Sequence, residues 1–279
     1  MNQYKRGSAK KKDSGKLSLS PFQKKLQDWG KRKSIRDGEK GIFLEGEKLI
    51  DEAIQAGHPL AAIWMTEAIA KKRPDLLRKY EDSQTRLFPV SPMMMRKVIS
   101  EMDTPPGIVA VAPQPGFIHR QPGDPFSLIV AMPLIQSPGN LGGIIRTANY
   151  FGVDELWVGK GSSDSYTGKV LRGSMGAAFT LPVIKVDDFA ERLTSFKEAG
   201  ATVWAAVAHS DNASITIEGT GSRIIMLGGE SRGLEKRFEE MADKNVQIPG
   251  AGRGESLNLM VAAGILIHAA TVGRWSADV

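Results

Sequence analysis

From Phe126 onward, short apolar runs alternate with amphipathic stretches. FSLIVAMPLI, DELWVG, TVWAAVA, RIIMLGG and VQIP are short, aliphatic and bounded by turn residues, as strands are. Residues 140–151, DFAERLTSFKEAG and 234–242 carry their apolar positions at helical spacing, and a final helix is expected from Leu257. Strands alternating with helices require crossover connections and hence a parallel sheet. Such a sheet binds ligands beyond the carboxyl ends of its strands, so chemistry is expected in the loops after Ile135, Leu227 and Ile248. Each of those loops is rich in glycine.

The preceding chain has a different rhythm. Leu49, Ile50, Ala53 and Ile54 mark one face of a helix that Gly57 should stop. LAAIWMT, a polar helical stretch, RLFPV, helix-like SPMMMRKVISEM and GIVAVA then alternate, which describes a small α/β module over residues 21–112. PQPGFIHRQPGDP (113–125), with four prolines and two glycines in thirteen residues, reads as a linker to a second domain at 126–279.

Composition narrows the chemistry. The chain has no cysteine and only four scattered histidines (His58, His119, His209 and His268), so no thiolate nucleophile, disulfide framework or metal cluster is expected. The longest apolar run, LMVAAGILIHAATV, falls short of the roughly 20 residues that span a bilayer. A cytoplasmic protein without membrane or metal partners is the expectation. The net charge of +6 is unevenly placed: residues 1–36 hold twelve Lys/Arg against Asp13 and Asp28, giving +10, while the remaining 25 against 29 give −4. A segment such as KRGSAKKKDSGK cannot bury enough apolar surface to order itself, so residues 1–20 are expected to form a disordered basic tail. On meeting a phosphate backbone the tail would release counterions, although a merely solvated tail explains the charge as well.

Three segments carry candidate chemistry. In QSPGNLGGIIRTANYFG, Leu141, Ile144, Ile145 and Ala148 should face the core, with Gly142, Arg146 and Asn149 on another stripe. Asn140 is a candidate helix cap, the PGNLGG amides favour an anion, and Arg146 can lean back about 9 Å toward that loop. An ordinary exposed arginine is the plainer alternative. In RIIMLGGESRGL, glycines let backbone approach a ligand beside the Glu230 carboxylate, which could equally be a first-turn charge. In VQIPGAGRGESLNLMVAAG, a strand is stopped by Pro249, and Ser256 and Asn258 open a buried helix, with Ser256 the candidate cap. GAGRG lacks the spacing of a dinucleotide loop.

Together PGNLGGIIRTA, LGGESRGL and IPGAGRGESLNLMVA resemble, in order and separation, the three motifs of the SpoU/TrmH family of RNA ribose 2′-O-methyltransferases, of the SPOUT class. The resemblance covers about residues 126–273. It implies a C-terminal domain tied in a deep trefoil knot, a preceding ribosomal-protein-like substrate-binding domain, S-adenosyl-L-methionine as cofactor, and a homodimer whose interface completes the active site. Carried onto this chain, the cofactor would lie against Leu227, Gly228, Ile248, Gly252 and Leu257. Asn140, Arg146, Glu230, Ser256 and Asn258 would surround methyl transfer. Two positions depart from the family pattern: Ser137, where an acidic residue is common, and Met260, where a small hydroxyl residue is common.

The counterpart of Arg146 is commonly given the role of base. A guanidinium with pKa above about 12 resists that role, so phosphate clamping and stabilisation of developing alkoxide charge suit Arg146 better, with Ser256 and Asn258 orienting the hydroxyl. A basic tail and a ribosomal-protein-like module favour structured RNA, ribosomal RNA first and transfer RNA second. A non-catalytic RNA-binding or ribosome-assembly protein and a nucleotide-dependent enzyme are the alternatives from other classes.

Overall fold

The computed structural model describes residues 19–31, 41–82, 85–100, 102–208, 215–217, 219, 221–230, 233–250 and 256–272. Most of the basic tail, His209 and Gly252 lie outside the described residues. The chain divides after Pro115 into two compact units, apart from Tyr166–Gly168, which group with the first.

In the first unit, strands β1 (Gly41–Glu45), β2 (Ala62–Thr66), β3 (Arg86–Val90) and β4 (Ile108–Pro113) form a sheet ordered β1-β4-β2-β3. β4 is antiparallel to both neighbours, and β2 is parallel to β3. Helices α1 (Pro21–Lys31) and α2 (Glu47–Gln55) pack on β1 and β4. Leu49, Ile50 and Ala53 are buried along α2, and the chain leaves it through Gly57 at φ 69°. α3 (Glu67–Lys72) packs on β2 and on α4 (Pro74–Asp82). The helix-like SPMMMRKVISEM is a single α turn, α5 (Pro92–Met94), capped by Ser91, which runs into a π turn at Met95–Ile99.

In the second unit, β5 (Leu128–Met132), β6 (Glu155–Gly159), β7 (Val183–Val186), β8 (Thr202–Ala206), β9 (Arg223–Met226) and β10 (Lys244–Val246) form one sheet in the order β10-β8-β9-β5-β6-β7. Every pairing in it is parallel. Residues alternate between its faces. Ile129, Ala131, Trp157, Ile224 and Met226 pack with Phe189, Leu193 and Phe196 of α8 (Phe189–Glu198) and Phe238 of α9 (Lys236–Met241). α6 (Pro138–Tyr150) is followed by α7 (Gly168–Ser174), and the last described helix is α10 (Leu259–Thr271). α10 packs on α6 although the strand before it, β10, is at the far edge of the sheet. The buried Arg223 guanidinium on β9 donates to the carbonyls of Ile217 and Ala270 at 3.3 and 3.1 Å, which fastens the end of α10 to the sheet.

Several sequence expectations shift. The edge strand is Lys244–Val246 rather than Val246–Ile248; its first two residues are exposed, so its polar side chains concealed it from a hydrophobic reading. α10 starts at Leu259, not Leu257. Gly142 is buried rather than off the core face: a Cβ there would meet the Val170 carbonyl oxygen at 2.7 Å and Gly173 Cα at 3.0 Å, so the glycines let α6 and α7 touch backbone to backbone.

Candidate active site

The ladder aligns Ala131 of β5 with Met226 of β9, Ala205 of β8 with Met226, and Ala206 with Val246 of β10. Three loops therefore leave the same carboxyl edge of the sheet: residues 133–137, 227–235 and those following Val246. The first is held rigidly. The Ile135 amide donates to Ser162 Oγ at 3.0 Å, the Ser163 amide to the Ile135 carbonyl at 2.7 Å, and Ser163 Oγ to the Gln136 carbonyl at 2.6 Å.

Ser137, not Asn140, caps α6. Its hydroxyl accepts from the Asn140 amide at 3.3 Å, and Pro138 takes the first helical position, where a missing N–H costs nothing. The Asn140 side chain, freed from capping, reaches the second loop, where its Nδ2 donates to Glu230 Oε1 at 3.0 Å. A carboxylate can only accept, so this bond fixes the amide's orientation and leaves Asn140 Oδ1 as an acceptor.

The second loop closes on itself. Leu227 continues the ladder through its amide to the Ala131 carbonyl at 2.9 Å and buries its side chain, so it offers a ligand only main chain. Gly229 and Gly233 exchange amide-to-carbonyl bonds of 2.9 and 3.1 Å, and a Cβ on Gly228 would sit 2.1 Å from the Gly233 carbonyl carbon. Only glycine fits there, and Glu230 is exposed at the head of the loop. A Cβ on Gly229 would meet the Leu134 carbonyl oxygen at 3.4 Å, so the first two loops lie against each other. Leu134, exposed within the first loop, is a wall residue that the sequence motifs do not single out.

The third segment reaches the first through Met260, whose Sδ would lie 2.0 Å from a Cβ on Gly143. The methionine that departs from the family pattern thus fills the space that this glycine leaves. Asn258, rather than Ser256, caps α10: its Oδ1 accepts from the Met260 amide at 2.9 Å, which leaves Nδ2 as a donor without a partner among the described residues. Ser256, Leu257 and Asn258 are exposed, and Ile248 is half-buried.

Arg146 stands on the exposed stripe of α6, with no hydrogen bond or ion pair among the described residues. One helical turn on, Asn149 Oδ1 accepts from Thr180 Oγ1 at 2.9 Å. The edge thus presents a carboxylate steered by an amide and two further donors at Ser256 and Asn258, with Arg146 six residues along α6 from Asn140. The described residues contain no group of three or more metal-ligating side chains. No helix among them is long and apolar enough to cross a membrane.

A parallel α/β domain takes its ligands beyond the carboxyl ends of its strands, where this edge lies. Residues 127–268 match the model of the SpoU rRNA Methylase family, and the chain belongs to that family of RNA methyltransferases. Residues 21–110 match the MRM3-like substrate binding domain. An uncharacterised tRNA/rRNA methyltransferase of Synechocystis is 29% identical over 259 residues, 93% of each chain. The 23S rRNA (guanosine(2553)-2′-O)-methyltransferase RlmP of Bacillus subtilis is 28% identical over 88% of this chain and 94% of its own. The SpoU methyltransferase AviRb of Streptomyces viridochromogenes, crystallised with AdoMet, superposes with a TM-score of 0.77 at 26% identity, covering 92% of this chain and 99% of that one.

Proposed function

We propose that the protein transfers a methyl group from S-adenosyl-L-methionine to a ribose 2′-hydroxyl of ribosomal RNA. The observation that carries this reading is the Asn140–Glu230 bond, which joins two of the three motifs, with the exposed Arg146 on the same helix as Asn140 and without a hydrogen bond or ion pair among the described residues. The cofactor fits what that edge offers: bare glycine backbone at Gly228, main chain only at Leu227, and apolar side chains at Leu134, Ile248 and Leu257. Gly252 completes the proposed set from outside the described residues.

The bound cofactor supplies an electrophilic methyl on a sulfonium centre. Arg146 binds a substrate phosphate with its fork and stabilises charge developing on the attacking oxygen. Asn258 Nδ2 and the Ser256 hydroxyl orient that oxygen, while Asn140 keeps Glu230 in place as an acceptor at the same edge. Positioning of this kind can lower the barrier by roughly 7–11 kcal/mol in favourable cases.

Ribosomal RNA is favoured over transfer RNA by the relationship to RlmP over nearly the full length of both chains. RNA grip is assigned to the first unit, whose α1 and π turn expose Lys24, Lys25, Arg96 and Lys97. Two further family features find support here. The return of the chain from edge strand β10 to α6, across the sheet, supports the knotted topology of this proposal. A second copy suits the exposed apolar side chains of Leu257, Val261 and Val272 on and flanking α10, and of Tyr150 at the end of α6, of which Tyr150 (75%) and Val272 (69%) are the most exposed.

The test is transfer of labelled methyl to total ribosomal and transfer RNA from cells lacking the protein, followed by mapping of ribose methylation. A single labelled ribose in ribosomal RNA, absent with Arg146→Ala, is the expected result. Label confined to transfer RNA would move the substrate, and labelling of a base would overturn the reading.

A further inference from the structure

Residues 113–125 have a linker's composition, yet most of the segment is fastened. β4 carries the chain in register to Pro113, whose carbonyl lies 2.7 Å from His58 Nε2. From His119 onward it is pinned to the second unit. His119 Nδ1 lies 3.1 Å from Glu155 Oε1, and the Arg120 amide donates to the same oxygen at 3.4 Å. The Arg120 guanidinium pairs with Asp154 Oδ1 at 2.6 Å, and the Arg192 guanidinium donates to the Arg120 carbonyl at 3.2 Å. Ser222 Oγ donates to the Asp124 carbonyl at 2.5 Å.

Glu155 is the centre of this arrangement. It has no solvent exposure; its second oxygen accepts from Trp157 Nε1 at 2.8 Å and lies 3.6 Å from Arg192, whose guanidinium covers the Trp157 ring. It opens β6, at the end of the sheet opposite the loops of the active site. Burying a carboxylate costs free energy that its donors must offset, and half of those donors belong to the connecting segment.

We infer that Glu155 is a positioning residue that latches the connecting segment to the methyltransferase unit, so that only Gln114–Ile118 flexes between the units and sets the reach of RNA held by the first. This rests on the proposed RNA-methylating function. Five residues extend at most about 17 Å. The contacts of Arg120 with Asp154 and of Ser222 with Asp124 do not pass through Glu155, so its loss frees at most residues 114–125; where effective concentration falls as the −3/2 power of tether length, lengthening from five residues to twelve lowers it at most about fourfold.

Glu155→Gln in the full chain tests this. Hydrogen exchange of residues 119–124 should lose protection in the variant, and KM for the methylated RNA pool should rise by up to about fourfold, with kcat and the dissociation constant for S-adenosylmethionine unchanged. Protection that the variant retains, or protection lost with KM unmoved, overturns the proposal. A merely structural role would lower kcat and cofactor affinity as well. Should Glu155→Gln fail to fold, the double variant His119→Ala/Arg120→Ala, on the accessible side of the latch, carries the same test. If the wild-type protein methylates neither ribosomal nor transfer RNA, the proposed function fails, while exchange and the affinity for ribosomal RNA still decide for or against the latch.

Discussion

Asn140 and Glu230, ninety residues apart in sequence, meet through a 3.0 Å bond from amide nitrogen to carboxylate oxygen. The pair is exposed, so its value lies in orientation more than in stability. Asn140→Ala and Glu230→Gln should each leave the melting temperature nearly unchanged while slowing single-turnover methyl transfer by on the order of tenfold, the equivalent of one hydrogen bond. Equal losses in both variants, and no further loss in the double variant, would show that the two act as one unit.

Arg146 makes no hydrogen bond or ion pair among the described residues, so Arg146→Ala should fold as the wild type does. Loss of a donor to developing charge costs about 10²–10³ in kcat. If Arg146 stabilises charge and does not take the proton, the titrating group in a single-turnover pH–rate profile persists in Arg146→Ala. Its disappearance there, with persistence in Glu230→Gln, would make Arg146 the base.

Two neighbouring glycines should respond differently to alanine. Gly142→Ala meets the backbone of α7, which cannot step aside, and should cost about 1–3 kcal/mol of stability by overpacking. Gly143→Ala meets only the Met260 side chain, so its defect should be relieved by Met260→Ser. Thermal unfolding and activity of the two single variants and the rescued pair separate the cases.

Val261 lies exposed on the apolar stripe of α10. If that stripe joins two copies and the second copy completes the site, Val261→Asp should yield a folded monomer by sedimentation and abolish methyl transfer. A dimer that survives this substitution places the contact elsewhere.

Desolvation raises the Glu155 carboxyl above its ordinary value of 4.5, opposed by the Trp157 N–H, Arg192 and His119. A raised acid is protonated more readily in the folded than in the unfolded chain, so its contribution to stability is present below 4.5 and is lost as pH rises through the folded value. The melting temperature of the wild type relative to Glu155→Gln should therefore fall with increasing pH across that window. A rising difference would reverse the sign assigned to burial.

The core stripe of α6 was legible because Leu141, Ile144, Ile145 and Ala148 obey helical spacing, and all four are buried. Cap assignments were less secure, since Ser, Asn and Asp compete as caps. The Ser137-Pro138 step was the better signal, because proline prefers the first helical position. That single displacement changed the meaning of Asn140 from a cap to the partner of Glu230. The fastening of residues 119–124 was invisible for another reason: prolines and glycines dominate the local composition, whereas the groups that hold the segment lie at 154, 155, 192 and 222. Packing of Met260 into the space at Gly143 likewise joins positions more than a hundred residues apart.

The packing of α10 on α6 has a bearing on when the enzyme first works. The helix that brings Asn258 and Met260 to the active edge is the last one described, and the Ala270 carbonyl must be in place before Arg223 can fasten it. A nascent chain emerging from the ribosome can pair β5 through β10 and still lack one wall of its site. Until the segment through Thr271 has been synthesised and has returned to α6, such a chain has neither its full complement of donors nor its apolar α10 stripe. Assembly of the site thus waits on a segment that is made after all six strands of its sheet.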